Sequence, residues 1–144
     1  MDTVSNRIIN WVKSHQDWLI LAVLLLWGLG LRAYRPDHTP FGFDQVQIMD
    51  NAEAKAAGDI RLIGPRTGPA AMFTGPLIYY VTAGWWLLLQ SPYALVGTSL
   101  SLAALTGLTL WVLTRHYWSS NLAHATLSLW AFSPFLTLLD RTPW

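Results

Sequence analysis

An apolar run near the amino terminus constrains this chain more than any other feature. Residues 18–31, WLILAVLLLWGLGL, hold no charged side chain, and the first charge after them is Arg32. The run is shorter than the roughly 20 apolar residues that a helix needs to cross the hydrocarbon of a bilayer. Trp18 and Tyr34 are nevertheless typical interface anchors, and Arg32 can extend its charge to the headgroups. We predict a transmembrane helix over residues 18–34.

A cleaved signal peptide is the competing interpretation of this run. No small-residue cleavage site follows it, and the leader before it is long and partly acidic, so we favour an uncleaved signal anchor. Within the leader, Val4, Ile8, Trp11 and Val12 recur at helical spacing, which is typical of an amphipathic helix lying on a membrane. A frayed polar terminus is the alternative for residues 1–17.

The composition is that of an integral membrane protein. Hydrophobic residues make up 53% of the chain and charged residues only 12%, whereas soluble domains carry about 25% charged residues. The formal net charge of +1 offers no basic patch, so we expect no nucleic-acid partner. Because the chain has no cysteine, it can form neither disulfides nor thiolate metal sites.

Two further apolar segments are predicted to cross the membrane. Residues 92–114 present a face of small residues suited to helix packing. Residues 121–139 follow a short loop at 115–120 and are broken near their end by Pro134, so the last turn should line protein or water rather than lipid. Residues 76–90 are aromatic and short for a span; we interpret them as a helix half-submerged in the interface, with a short span as the competitor.

The most polar stretch, residues 41–58, contains the candidate catalytic residue. We predict a helix from Asp44 to Gly58, where Asp44 with Gln47 three residues later forms the pattern of a capping box. Such a cap stabilises a helix by about 1 kcal/mol, and it is the commoner role for an Asp in this position. A carboxylate at a membrane–water boundary can instead act as a general base or help to hold a divalent cation.

Two arginines are candidate phosphate ligands. Arg66 lies in a loop rich in Gly and Pro, and Arg141 ends the last apolar segment. The planar guanidinium of arginine binds two phosphate oxygens at once, although simple headgroup contact explains the same positions. The orientation of the spans stays open on the residues alone, because Lys and Arg around the first span place Asp44 in the cytoplasm, whereas Arg115 places it outside.

Taken in this order, the segments resemble the amino-terminal region of the GT-C membrane glycosyltransferases. The resemblance is greatest to the family 39 branch, which includes protein O-mannosyltransferases and the lipid A aminoarabinose transferase. It is carried by GLGLRAYR at the end of the first span, then FGFDQVQ, AAGDIRLIGPRTGP, FTGPLIYYVTAGWW and SPFLTLLDRTPW. Order and spacing match over nearly the whole chain after the leader.

The resemblance implies an all-α integral membrane fold: a GT-C-type amino-terminal module with about three transmembrane helices and two juxtamembrane helices in its first extracytoplasmic loop. It also implies a multi-pass protein of the plasma (bacterial inner) membrane with Asp44 on the extracytoplasmic side. We expect the chain to be a fragment of a longer protein. The expected segments are a cytoplasmic amphipathic segment 1–17, transmembrane helix 18–34, extracytoplasmic loop 35–91 with juxtamembrane helices near 44–58 and 76–90, transmembrane helix 92–114, cytoplasmic loop 115–120, transmembrane helix 121–139, and the start of the next extracytoplasmic loop at 140–144.

The resemblance further implies a hexosyl- or pentosyltransferase that moves a sugar from a polyprenyl-phosphate donor to a hydroxyl of an envelope glycan, lipid or protein. The essential acid of the family matches Asp44. Many members carry a second acid where this chain has Gln45. Some relatives carry an acid and a lysine where this chain has Thr74 and Gly75, which argues against aminoarabinose transfer.

The other expected site residues follow from the same resemblance. Arg66 and Arg141 would bind the donor phosphate, alone or with a divalent metal ion for which Asp44 is the available ligand. Gln45, Tyr79 and Trp144 are possible site-lining residues. An isolated fragment is expected to be inactive, because three spans cannot enclose both a long lipid donor and an acceptor.

The alternative is a non-enzymatic membrane protein, either a transporter fragment or a small helical subunit. A transporter usually carries a polar site near the middle of the bilayer. No Asp, Glu or Lys lies deep inside the predicted spans, which counts against that alternative.

Overall fold

The structure is a computed structural model that describes residues 2–36, 42–60, 62–64, 66–67, 72–73 and 75–141, without the side chains of 2–14, 66–67, 72–73 and 139–141. Within these residues the regular structure is helical apart from one antiparallel ribbon of two-residue strands, in which Arg66 pairs with Phe73. The elements in chain order are α1 (Asp2–Ala33), α2 (Phe43–Ala56), β1 (Arg66–Thr67), β2 (Met72–Phe73), α3 (Leu77–Leu89), α4 (Tyr93–Tyr117), α5 (Ser120–Phe132) and α6 (Pro134–Arg141).

Helix α1 is one continuous helix, with no break at the predicted boundary between residues 17 and 18. The amphipathic leader runs directly into the apolar segment, since no Gly or Pro precedes Gly28 to interrupt it. The helix ends shortly before Pro36, and Arg35 takes a left-handed φ of 50°. A residue that precedes proline is disfavoured in the α conformation, which explains why the helix stops here.

Two helical segments are long and apolar enough to cross a membrane by length and composition. They are His15–Ala33 and Tyr93–Tyr117, with 17% and 33% of their most apolar windows buried inside the structure. These segments coincide with the predicted spans 18–34 and 92–114. The second is longer than predicted, so the loop expected at 115–120 contracts to Trp118 and Ser119.

The predicted third span, residues 121–139, is divided into two short helices. Helix α5 ends at Phe132, Ser133 is extended with ψ 115°, and α6 begins at Pro134. Proline lacks the N–H that would continue the helix and disfavours the α conformation in the residue before it. The expected break is therefore present, but neither piece reaches the roughly 20 residues of a span.

The chain divides into two compact units. The first comprises Met1–Leu31 and Ala104–Thr137, and the second comprises Arg32–Ala103 and Leu138–Trp144. Helix α4 therefore contributes its first part to the second unit and the remainder to the first.

In the first unit, Trp130 packs between two glycines of neighbouring helices. A Cβ atom on Gly28 of α1 would lie 2.5 Å from the indole of Trp130, and one on Gly107 of α4 would lie 3.1 Å from the same indole. Near the other end of the unit, Trp18 packs against Trp111 with ring centroids 5.4 Å apart. Within this unit, α1 and α4 therefore run in opposite directions. Ser120, at the start of α5, contacts Asp17 of α1, so α5 runs in the same direction as α1.

In the second unit, α2 and α3 pack together and against the start of α4. Their shared core contains Ile48, Met49, Tyr79, Ala94 and Leu95. Helices α3 and α4 are also joined by polar contacts. The buried hydroxyl of Thr98 donates to that of Thr82 at 3.0 Å, and the Trp85 indole N–H donates to Ser101 Oγ at 2.9 Å.

The glycines of α1 provide a direct test of the Trp130 packing. Gly28→Ala is expected to destabilise the protein by about 1–3 kcal/mol, because the added methyl overlaps the indole. Gly30→Ala is the matched control: nothing lies within 4 Å of its added Cβ, so this change is expected to be neutral or to stabilise the helix by up to about 1 kcal/mol. Unfolding of the detergent-solubilised variants by denaturant measures both. Equal stability of the two variants would contradict the packing.

Candidate functional site

The candidate site lies at the first turn of α2. Gly42 precedes the helix in an extended conformation, and its carbonyl accepts the first helical hydrogen bond from the Val46 N–H at 3.2 Å. The Gly42 N–H donates to Oε1 of Gln45 at 2.8 Å. This is the second half of a capping box, in which a Gln at the third helical position reaches back to the residue before the helix.

Asp44 is therefore not the capping residue. It is the second residue of α2, and the residue that precedes the helix is Gly42, two positions before the predicted cap. Its side chain is exposed, and no described residue forms a hydrogen bond or ion pair with the carboxylate. The positive end of the helix macrodipole favours a negative charge at this place. The carboxylate is accessible to solvent.

Helix α2 holds this carboxylate on a fixed support. The face of the helix that contains Ile48, Met49 and Ala52 is buried, and the first two of these contact the core formed with α3 and α4. The side of the helix that contains Asp50 and Glu53 is exposed. Phe43, directly before Asp44, is 81% exposed. An acid thus lies next to a large apolar side chain that the described protein leaves uncovered.

Tyr79, predicted as a site-lining residue, is a core residue beneath α2. It is 2% exposed and belongs to the same apolar cluster as Ile48 and Met49. Burial raises the pKa of its phenol above the ordinary value, so the group stays neutral at physiological pH. Its contribution is to support the helix that carries Asp44. Gln45 likewise has a structural role at the start of that helix.

Lys55 lies on the same side of α2 as Asp44 but is taken up by structural contacts. Its side chain is 2% exposed, and its Nζ lies 3.7 Å from Oδ2 of Asp59. The same Nζ is 5.6 Å from the centre of the Tyr80 ring. These contacts fix the end of α2 close to Gly58, whose φ of 103° suits glycine.

The side chains of the predicted phosphate ligands are outside the described part of the structure. The backbone of Arg66 is in β1 and that of Arg141 ends α6, and both side chains are outside the described residues. Trp144 is outside them altogether. Among the described residues, no group of three His, Asp or Glu side chains is placed to hold a metal ion. The role of Asp44 toward a metal therefore stays a prediction.

The burial of the arginine at the end of α1 was not predicted from the sequence. Arg32 was expected to extend to the headgroups, but it is 2% exposed. A guanidinium is buried only where polar groups satisfy it. Arg32 lies between the apolar run and the polar loop. A residue in this position can either extend to the lipid headgroups or be buried in protein, and the sequence does not distinguish the two.

A second polar cluster, in the first unit, was also missed. Arg115 Nη2 lies 2.8 Å from Asp17 Oδ2, and the Ser120 hydroxyl donates to the same oxygen at 3.1 Å. His124 Nε2 is 3.8 Å from Asp17 Oδ1. Through these contacts, the start of the first candidate span lies level with the end of the second.

No protein-family model, curated protein or solved structure matches the chain.

The capping arrangement makes a testable distinction between two neighbouring residues. Gln45→Ala is expected to weaken the first turn of α2 by about 1 kcal/mol, because the Gly42 N–H loses its acceptor. Gln45→Glu keeps an acceptor oxygen and is expected to retain the turn. Asp44→Asn is expected to have little effect at high salt, where the dipole interaction is screened. Amide hydrogen exchange of α2 measures all three. Faster exchange in Asp44→Asn than in Gln45→Ala would reassign the cap to Asp44.

Proposed function

We propose that the chain is part of a GT-C-type membrane glycosyltransferase in which Asp44 is the catalytic base. The observation that carries this proposal is the exposed Asp44 carboxylate in the first turn of α2, where Gln45 performs the capping. An acid that the fold uses for its own stability makes a poor catalytic candidate. Asp44 is free of that demand within the described structure, and the resemblance of the surrounding motifs gives it a reaction.

The proposed reaction is transfer of a sugar from a polyprenyl-phosphate donor to a hydroxyl group. The acceptor oxygen attacks the anomeric carbon while Asp44 removes the hydroxyl proton. The bond between the anomeric carbon and the phosphate oxygen breaks, and the electron pair leaves with the phosphate. Attack opposite the leaving group inverts the anomeric configuration. The macrodipole of α2 supports the ionised form of Asp44 that a base requires.

The departing phosphate needs positive charge, and Arg66 and Arg141 are the proposed sources. Electrostatic stabilisation of this kind often supplies several kcal/mol, on the order of 3 kcal/mol for one well-placed donor. A divalent metal ion is compatible with the proposal. Because Gln45 stands beside Asp44, this loop would provide one carboxylate oxygen donor, and phosphate oxygens would complete the coordination.

The membrane setting is part of the proposal. We infer that α1 and α4 cross a plasma membrane and that α2 and α3 lie along its extracytoplasmic surface. The mostly exposed apolar faces of the two long helices support this, because an aqueous environment would leave them unfavourably solvated. Phe43 and Leu77 are exposed on the two shorter helices. A lipid-linked donor in the same interface would bring its phosphate to the level of Asp44.

The central test is sugar transfer by membranes that contain the complete translation product of the gene. With labelled polyprenyl-phosphate sugar, Asp44→Asn is expected to lower transfer by about 10²–10⁴-fold, the usual contribution of a general base. Asp50→Asn is the matched control, since Asp50 is exposed on the same helix outside its first turn. Its activity is expected to equal that of wild type.

Undiminished transfer by Asp44→Asn would contradict the catalytic assignment. Loss of transfer in both Asp44→Asn and Asp50→Asn would indicate that the substitutions disrupt the structure of α2 rather than remove a catalytic group. A wild-type protein that transfers none of the sugars tested would favour the helical subunit over the enzyme.

A further inference from the structure

The cluster around Asp17 in the first unit joins three helices through one carboxylate. Asp17 belongs to α1, Arg115 to α4, and Ser120 and His124 to α5. Oδ2 is engaged by Arg115 at 2.8 Å and by Ser120 at 3.1 Å. Oδ1 faces Nε2 of His124 at 3.8 Å. Oδ2 of Asp17 thus has two polar partners, whereas Oδ1 faces only the imidazole of His124 among these contacts, and the charge of an imidazole depends on pH.

The side chains of Asp17 and Arg115 are 32% and 36% exposed, and aromatic rings lie beside the cluster. The guanidinium of Arg115 lies 4.8 Å from the Trp111 ring centre and 5.8 Å from that of Trp18. The His124 ring lies 6.4 Å from Trp111, and its side chain is only 16% exposed. Charges partly enclosed by aromatic rings are screened less by water and salt than charges on an open surface.

We propose that His124 makes the docking of α1 onto α4 and α5 sensitive to pH. Histidine is the side chain that ordinarily changes its charge between pH 5 and 8. Nε2 of His124 is buried, and within the described structure it has no hydrogen-bond partner. Uptake of a proton from the solution gives a positive imidazolium whose Nε2 faces Asp17 Oδ1, and this adds an ion pair between α5 and α1. Loss of the proton removes that ion pair.

The other charges around the cluster set the direction of the effect. Arg115 carries the same sign as protonated His124 and opposes its charging, but it pairs with the other oxygen of Asp17 and lies over two indoles. The carboxylate therefore lies between two cations. The stabilising contact is present on the acidic side of the histidine range and is lost as the pH rises.

His116 provides a matched control on α4, one of the three helices that Asp17 joins. It is exposed near the end of α4, with its ring edge-on to Tyr117 at 4.8 Å. No ion pair with Asp17 is described for it. A general effect of histidine charge on the protein would appear in both histidines, whereas the proposed contact depends on His124 alone.

The experiment is the pH profile of unfolding for the purified protein in detergent micelles. From pH 5.5 to 8, the unfolding equilibrium constant of wild type is expected to rise on the order of fivefold, the upper range for a partly exposed ion pair. His116→Gln is expected to keep this rise. His124→Gln is expected to remove it and to match wild type at pH 8.

Two outcomes would overturn the proposal: a His124→Gln profile with the wild-type slope, or a His116→Gln profile as flat as that expected for His124→Gln. Asp17→Asn is expected to unfold more readily at every pH and to show no rise. If that variant does not fold, the two histidine variants still decide the matter. Nuclear magnetic resonance of ¹³C-labelled imidazole provides a second readout, in which the His124 signal is expected to titrate together with the stability change.

Discussion

The helical packing in both units depends on tryptophans that press against glycines of α4. Trp85 of α3 covers Gly97, where an added Cβ atom would approach the indole to 2.4 Å, and Trp130 of α5 covers Gly107. Apolar helices have little to distinguish one contact from another, so close approach at small residues supplies the specificity that hydrophobicity cannot. Each indole occupies the space left by the missing side chain of the glycine, so any residue larger than glycine there would clash with it. The position of α3, and through it that of α2, follows from this arrangement.

Most helices could be predicted from the sequence because their boundaries are local. Periodicity and proline positions placed α3 within residues 76–90 and α2 close to 44–58, and the structure has Leu77–Leu89 and Phe43–Ala56. The contacts between helices were out of reach. Asp17 and Arg115 are nearly a hundred residues apart in the chain, and neither their residue types nor their spacing predicts that they form an ion pair. Burial of Arg32 was missed for the same reason, since a charge beside an apolar run suits lipid headgroups and protein partners equally.

The error at the candidate site was a shift of the capping register. The sequence favours a cap at Asp44 with Gln47 as its partner, because Asp is in general a better capping residue than Gly. In the structure the residue before the helix is Gly42, to which Gln45 reaches back, and Phe43 and Asp44 are the first two residues of the helix. Ile48 and Met49 of the same helix pack in one cluster with Tyr79, which lies about 30 positions further along the chain. Local propensity carries no information about such contacts.

The difference between Asp44 and the other exposed acids of α2 is one of position. Asp50 and Glu53 also lie on the exposed part of the helix, but they are beyond the first turn, where the influence of the macrodipole has fallen off. Other charged groups have structural partners: the buried Lys55 pairs with Asp59, and the partly exposed Asp17 pairs with Arg115 in the other unit. Asp44 combines exposure, a favourable dipole and a rigid support from α3. A chain with so few charges gains little stability from this one, and the proposed chemistry provides a reason for its presence.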